Sequence, residues 1–339
     1  MSNFFSSPIV RALAAMIIVF ALGLIFSADS STAPEDGYNF FSPDGAFYKW
    51  QTHRDMLRQV SVYGMLACGM TLVIITGGID LSVGSVLGLN AVLFSLMTIH
   101  YGWSAWLAIP LCILIGLLLG GVSGTLMARL NMQPFIVTLA MMVFARGLAK
   151  FASGGQKIST YVQNEDLSTT LKDLPPIFST LDMRVLGDNI AMVTLIFLVC
   201  VLLTWILLAH LHVGRHLYAI GGNEEAARLS GLPVTRTKIL AYALCGAFAA
   251  IAGVCQAAQE YQGDPESGAT YELTAIAMVV IGGTSLMGGR GSVLLTLIGC
   301  LTIGYLDKIL SINAVGEASR LMLTGAIIVA AVVFQRKQA

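Results

Sequence analysis

Residues 75–90 read ITGGIDLSVGSVLGLN. Apolar sequence flanks this stretch on both sides for about twenty residues, enough to cross a hydrocarbon core as a helix. In its middle stand a glycine pair, Gly77 and Gly78, and a carboxylate, Asp80. An ionisable group deep in a membrane is a functional site by default. The alternative is a break between two spans. The glycine pair then ends one helix, and Asp80 or Ser82 caps the next by meeting its free amides and the positive end of its dipole. On either reading a helix enters the stretch and another leaves it, and this sets the fold class.

The rest of the chain agrees. Of 339 residues, 56% are hydrophobic and 11% charged, whereas soluble domains carry roughly 25% charged residues. Apolar runs lie at 8–26, 57–77, 80–100, 103–128, 133–153, 189–209, 238–258, 272–287, 292–310 and 318–334. Runs of this length predict helices, which satisfy their own backbone hydrogen bonds in lipid; a barrel would show short alternating strands. The expected fold is all-α: one polytopic transmembrane domain, 1–339, of about ten helices embedded in the lipid bilayer. Glycines 282, 283, 288, 289 and 291 crowd the end of the 272–287 run, making it a full span or a broken one. The N-terminal run resembles a signal peptide, but its length favours an uncleaved first span.

Three polar stretches interrupt the spans: 27–56 and 154–188, each with five acids, and the basic 210–237. An even number of spans puts both termini on one side, and the tail QRKQA together with the denser Lys and Arg of that side's shorter loops marks it as cytoplasmic. The 27–56 and 154–188 segments then face the periplasm, and 210–237 the cytoplasm.

Several function classes drop out. Zero net charge offers nothing to nucleic acid. The six cysteines sit in apolar runs without metal or redox spacing, and His210, His212 and His216 read as interfacial. With no phosphate loop and no nucleophile, histidine and acid set, the chain has no catalytic residues, no metal site and no cofactor of its own. Most span midsections lack charge; Arg146, Lys150, Glu272 and Asp307 fall near predicted outer ends, where long side chains reach water. Ion-coupled carriers need buried ionisable groups, so the energy for any transport must come from elsewhere.

Within 210–237, GGNEEAARLSG predicts a two-turn helix capped by Asn223, with Glu224 and Glu225 at its N-terminus, Ala226, Ala227 and Arg228 following, and Gly231 closing it. Led by Gly221 and Gly222, it is either an ordinary loop helix or a ridge that docks into a soluble partner. Gly116, Gly120 and Gly124 recur at intervals of four, a stripe that lets another helix approach closely, within this subunit or in a dimer. A weak internal echo links VIITGGIDLSVGSVL (73–87) with VVIGGTSLMGGRGSVL (279–294). It reads either as a duplication of the kind transporters carry or as two ordinary glycine hairpins.

Four ordered stretches resemble the inner-membrane permease subunits of bacterial ATP-binding-cassette sugar importers, in their ribose-type branch. They are GMTLVIITGGIDLSVGSV (69–86), QPFIVTLAMMVFARG (133–147), GRHLYAIGGNEEAARLSGLPV (214–234) and YELTAIAMVVIGGTSLMGGRGSV (271–293). The likeness runs from about residue 57 to the end; the aromatic 27–56 segment and the leucines of GSVLLTLIG depart from it. The resemblance implies a bacterial inner-membrane protein that works beside a second permease copy, on cytoplasmic ATPase subunits carrying ATP and Mg, fed by a periplasmic sugar-binding protein. It also implies that residues 221–231 are the ATPase-coupling segment and that the cargo is a neutral monosaccharide. An ion-coupled secondary sugar carrier is the rival reading. Thr76, Ser82, Ser85, Asn90 and Thr138 are candidate path-lining residues that helix packing would equally explain, and Gly77, Gly78, Asp80, Gly282 and Gly283 mark candidate helix breaks.

Overall fold

The computed structural model describes residues 8–26, 45–163, 169–316, 318–320, 322–323 and 325–326. Among these, twelve α-helices follow one another. They are α1 (Pro8–Ile25), α2 (Trp50–Ile75), α3 (Val83–Ser95, continued by a π-helical turn over Leu96–His100), α4 (Ala105–Leu130), α5 (Pro134–Ser153) and α6 (Pro176–Asp182). After them come α7 (Met192–His210), α8 (His212–Gly222), α9 (Glu224–Leu229), α10 (Val234–Glu260), α11 (Tyr271–Ile281) and α12 (Val293–Ile312). Seven of the described helices are long and apolar enough to cross a membrane, and α1 and α11 are shorter apolar helices. Most of the last predicted span, 318–334, and most of the polar stretch before α2 lie outside the described residues. Two small antiparallel pairs in and beside the 154–188 segment, Tyr161–Gln163 with Thr169–Leu171 and Arg184–Val185 with Ile190–Ala191, are the only strands described.

Helix α10 forms the axis, packing along α4, α2 and α3. Its central sequence, AYALCGAFAAIAGVCQAA, carries small side chains on every side, and nearly all of it is buried. Helix α4 buries a stripe that includes Ala108, Cys112, Gly116, Gly120 and Gly124, and turns Leu107, Leu114, Leu117, Leu118 and Leu130 outward. That stripe lies on α10. A Cβ on Gly116 would overlap the Gly246 carbonyl, and one on Gly120 the Tyr242 carbonyl. The repeat at intervals of four therefore serves packing inside this chain, where backbones touch and dispersion holds the helices together.

One boundary departs from expectation because charged residues find partners and need not sit in a loop. Helix α2 starts at Trp50 instead of 57. Its early charges are held by the 182–189 turn: Arg54 pairs with Asp188 at 3.0 Å, Arg58 with Asp182, and Asp55 with Arg184. The Trp50 indole donates to Asn189 Oδ1 at 2.7 Å. Arg146, expected at an outer helix end, instead donates to the carbonyls of Pro265 and Ser267, pinning the segment that leads into α11. That helix has eleven residues, about 16 Å at 1.5 Å per residue. The 272–287 run is therefore a broken span.

Candidate functional site

In the 75–90 stretch, α2 ends at Ile75, Gly77 takes φ 79°, and α3 begins at Val83. The Asp80 carboxylate is 1% exposed and faces the backbone. Its Oδ1 accepts from the Ser82 amide at 2.9 Å and from the Ser82 hydroxyl at 2.6 Å. Ser82, the N-cap residue, makes no side-chain cap bond; Asp80, two residues before it, holds the Ser82 amide and hydroxyl and so fixes the turn that leads into α3. The Thr138 hydroxyl on α5 donates to the Pro134 carbonyl at 2.9 Å and reaches the Ile79 carbonyl at 3.4 Å.

The second glycine-rich stretch meets the first. The Gly289 amide donates to the Ile75 carbonyl at 2.9 Å, so the loop between α11 and α12 bonds to the last residue of α2. The end of α8 closes the contact. A Cβ on Gly221 would overlap both Ile75 O and Gly289 N, and one on Gly288 would lie 2.8 Å from Gly77 N. Any side chain at Gly221 would drive these three backbones apart. Tyr218, on the same face of α8, donates to the Gly291 carbonyl at 2.9 Å. Burial holds its phenol above its ordinary pKa, so it remains a donor.

Helix α9 follows the junction directly. Asn223 Oδ1 accepts from the Ala226 amide at 2.9 Å, the N-cap bond expected for asparagine. Ala227 anchors the inner face against Ile220 and Val234. Glu224 bridges two cations, Lys238 at 2.5 Å and Arg228 at 3.3 Å. Glu225, Arg228 and Leu229 point outward, and Leu229 is 80% exposed. A cleft of about 310 Å³ is lined by Thr76, Gly77 and Gly78 of the hairpin and by Glu224 and Lys238, so the hairpin and α9 share a wall.

A second, polar cleft of about 290 Å³ lies between α2, the start of α11 and α12. Gln59, Tyr63, Thr270, Tyr271, Thr274 and Asp307 are among its lining residues. The Tyr63 and Tyr271 rings stand 4.3 Å apart, tilted by 40°.

Residues 54–332 match the protein family described as "Branched-chain amino acid transport system / permease component". The ribose import permease protein of Escherichia coli strain K12 is 37% identical over 320 residues, covering 94% of this chain and 92% of that protein. The ribose import permease protein of Bacillus subtilis strain 168 is 40% identical over 284 residues, 84% of each chain. The fructose import permease protein of Bifidobacterium longum is 39% identical over 277 residues, 80% of this chain and 78% of that protein. This chain belongs to the ribose-type family of importer permeases. It is a multi-pass protein of the bacterial inner membrane and a transport subunit.

In this permease the residues expected to matter fall into two sets. Gly221, Gly222, Asn223, Glu224, Glu225, Ala226, Ala227, Arg228 and Gly231 form one continuous feature, the end of α8, the whole of α9 and its exit at Gly231 with φ 79°. Thr76, Gly77 and Gly78 sit beside it, and Gly283, with φ 95°, turns the chain after α11. Gly282 packs against α12, where a Cβ would overlap the Leu295 carbonyl. The candidate lining residues do not converge on one cavity. Ser85 and Asn90 are buried along α3; Asn90 Nδ2 donates to the Val86 carbonyl at 2.8 Å, one turn back. Thr138 is spent on the Pro134 and Ile79 carbonyls. Helix α3 is enclosed by α10, α5 and α4; the Asn90 amide nitrogen bonds its own backbone, while Asn90 Oδ1 and Ser95 Oγ are buried without a hydrogen-bond partner among the described residues.

Sequence reading missed three things. Helix α8 was obscured by Gly214, Gly221 and Gly222, although Val213, Leu217 and Ile220 lie on one helical face. Leu229 is one of several apolar residues in the 210–237 loop, and nothing in the sequence marked it as exposed. The polar cleft was hidden because its walls are distant in sequence: Gln59 and Tyr63 of α2 meet Thr270, Tyr271 and Thr274 at the start of α11 and Asp307 of α12.

Proposed function

We propose that this permease moves a neutral monosaccharide from a periplasmic binding protein into the cytoplasm, driven by ATP hydrolysed with Mg on separate ATPase subunits. Two permease copies form the pathway, α9 faces the cytoplasm, and both termini lie on that side. In this reading α9 is the element that the ATPase moves. The observation that carries it is the three-way junction: the end of α8 abuts the last carbonyl of α2, and the loop between α11 and α12 bonds to that same carbonyl. A displacement of α9 therefore reaches both helix breaks with no flexible side chain between them. Packed interfaces respond to such pushes by switching between discrete arrangements.

The outward residues Glu225, Arg228 and Leu229 supply a short charged ridge with one apolar knob, suited to a groove on a soluble subunit. The importers of ribose and fructose among its relatives support a sugar cargo. Replacing Glu224, Glu225 and Arg228 together with alanine, in vesicles containing the permease, its ATPase and its binding protein, is expected to abolish sugar-stimulated ATP hydrolysis and uptake while leaving the permease in the membrane. Unchanged stimulation would overturn the coupling role of α9. Uptake of D-ribose, D-fructose and L-leucine by the wild-type assembly distinguishes a sugar importer from an amino-acid importer, and uptake driven by an ion gradient without the ATPase would indicate a secondary carrier.

A further inference from the structure

The polar cleft between α2, α11 and α12 belongs to neither the glycine junction nor α9. Polar side chains inside a helical membrane protein are costly unless they bond to one another or to something that passes, and here they share one concave wall. Gln59 offers an amide, Thr270 and Thr274 offer hydroxyls, and Asp307 pairs with Arg320 at 3.4 Å. The tyrosine pair forms the adjoining wall. The two rings lie in direct contact, and beside them the Gln256 amide on α10 donates to Glu260 at 2.5 Å. A second cleft of about 330 Å³, lined by Asp55, Arg58, Gln256 and Glu260, lies on the other side of the same tyrosines.

We propose that the α2/α11/α12 cleft is a binding site for a single neutral monosaccharide. This rests on the reading of the chain as a sugar permease and gives that function a place in the molecule.

Three properties select the ligand class. At about 290 Å³ the cleft stands at the small end of small-molecule sites, which run from roughly 300 to 1,000 Å³, so it suits one ring and excludes a disaccharide. Its wall combines aromatic faces with hydroxyl, amide and carboxylate groups. A sugar needs both kinds, since its C–H faces lie against rings while its hydroxyls donate and accept at the rim. An acyl chain would leave those polar groups without partners. The carboxylate and guanidinium compensate one another, so the site holds no net charge that would retain an ion.

The position of the cleft links it to the drive. Two of its walls, α11 and α12, are joined by the loop that carries Gly288 and Gly289, and that loop is bonded to α2 at the junction. A push from α8 and α9 therefore changes the separation of the walls that would grip the sugar.

The test uses the permease assembled with its ATPase and binding protein. A Gln59→Cys variant is labelled with a water-soluble thiol reagent; all six native cysteines are buried. D-ribose, D-fructose or D-glucose at about 100 mM, a concentration that fills a weak site by mass action, is expected to slow labelling. Sucrose and L-leucine should not slow it, and a Leu229→Cys control on α9 should be unaffected by any of them. In parallel, Tyr271→Phe should keep most sugar uptake and Tyr271→Ala should lower it about tenfold, with binding-protein-stimulated ATP hydrolysis retained in both. Equal protection by sucrose and monosaccharides, or no protection by any monosaccharide in an assembly that imports one, would overturn the site and leave the proposed function standing. If the wild-type assembly imports L-leucine and no sugar, the functional reading fails first. The labelling arm keeps the proposal testable if Tyr271→Ala does not fold.

Discussion

At the face that carries α9, three backbone segments meet through glycines with no room for a side chain. At the opposite end of α2, the contacts are made by side chains: three ion pairs to the 182–189 turn, an indole bond to Asn189, and the polar clefts around Tyr63 and Tyr271. The contrast is physical. Backbone against backbone is stiff and passes on displacement, whereas polar side chains of balanced charge can exchange partners with a polar solute. The same helices, α2, α11 and α12, take part at both ends, so one end can drive the other.

The sharpest way to break this comparison is to fill the junction. Gly221→Ala forces its Cβ into the Ile75 carbonyl and the Gly289 amide, and overpacking of this kind costs about 1–3 kcal/mol. Sugar uptake should collapse by more than the amount of membrane-inserted protein does, as measured in vesicles normalised by immunoblot. The Glu224, Glu225 and Arg228 triple alanine variant comes next: fold intact, coupling lost.

The hairpin supplies a graded test. Asp80→Asn keeps an acceptor for the Ser82 amide and should preserve most uptake. Asp80→Ala strands a buried amide and hydroxyl at a cost of about 1–3 kcal/mol, which thermal aggregation of the detergent-purified protein would report. Loss of uptake in Asp80→Asn would instead assign the charge itself a role. Smaller still is Tyr218→Phe, which removes one bond to the Gly291 carbonyl, worth about 1 kcal/mol. It should lower the melting temperature slightly and loosen coupling. Last is Gly222→Ala. A Cβ there meets nothing within 4 Å, so this neighbour of Gly221 should be neutral or stabilising by up to about 1 kcal/mol.

The all-α fold was legible in the sequence because apolar runs of span length leave a chain few options in lipid. The α9 helix was legible because its Asn223 cap, its N-terminal acids and its Gly231 exit are all local signals. What could not be read were features made by distant partners. The start of α2 looked like loop because Arg54, Asp55 and Arg58 are charged, and their partners lie more than 120 residues away. Ser85 and Asn90 are polar residues in a span, which suggests a path; sequence could not show that α3 packs between α10, α5 and α4 and buries them. The echo between 73–87 and 279–294 has a spatial counterpart: the two glycine turns bond to each other at Ile75 and Gly289. Sequence could mark each of them, but not that they touch.

The central claim is that displacement of α9 passes through the glycine junction to the helix breaks. It is tested most directly by the number of sugar molecules imported per ATP hydrolysed in Gly221→Ala and Gly222→Ala assemblies measured side by side. The ratio should fall about tenfold or more for Gly221→Ala and stay at the wild-type value for Gly222→Ala. Equal ratios in the two variants would contradict the account.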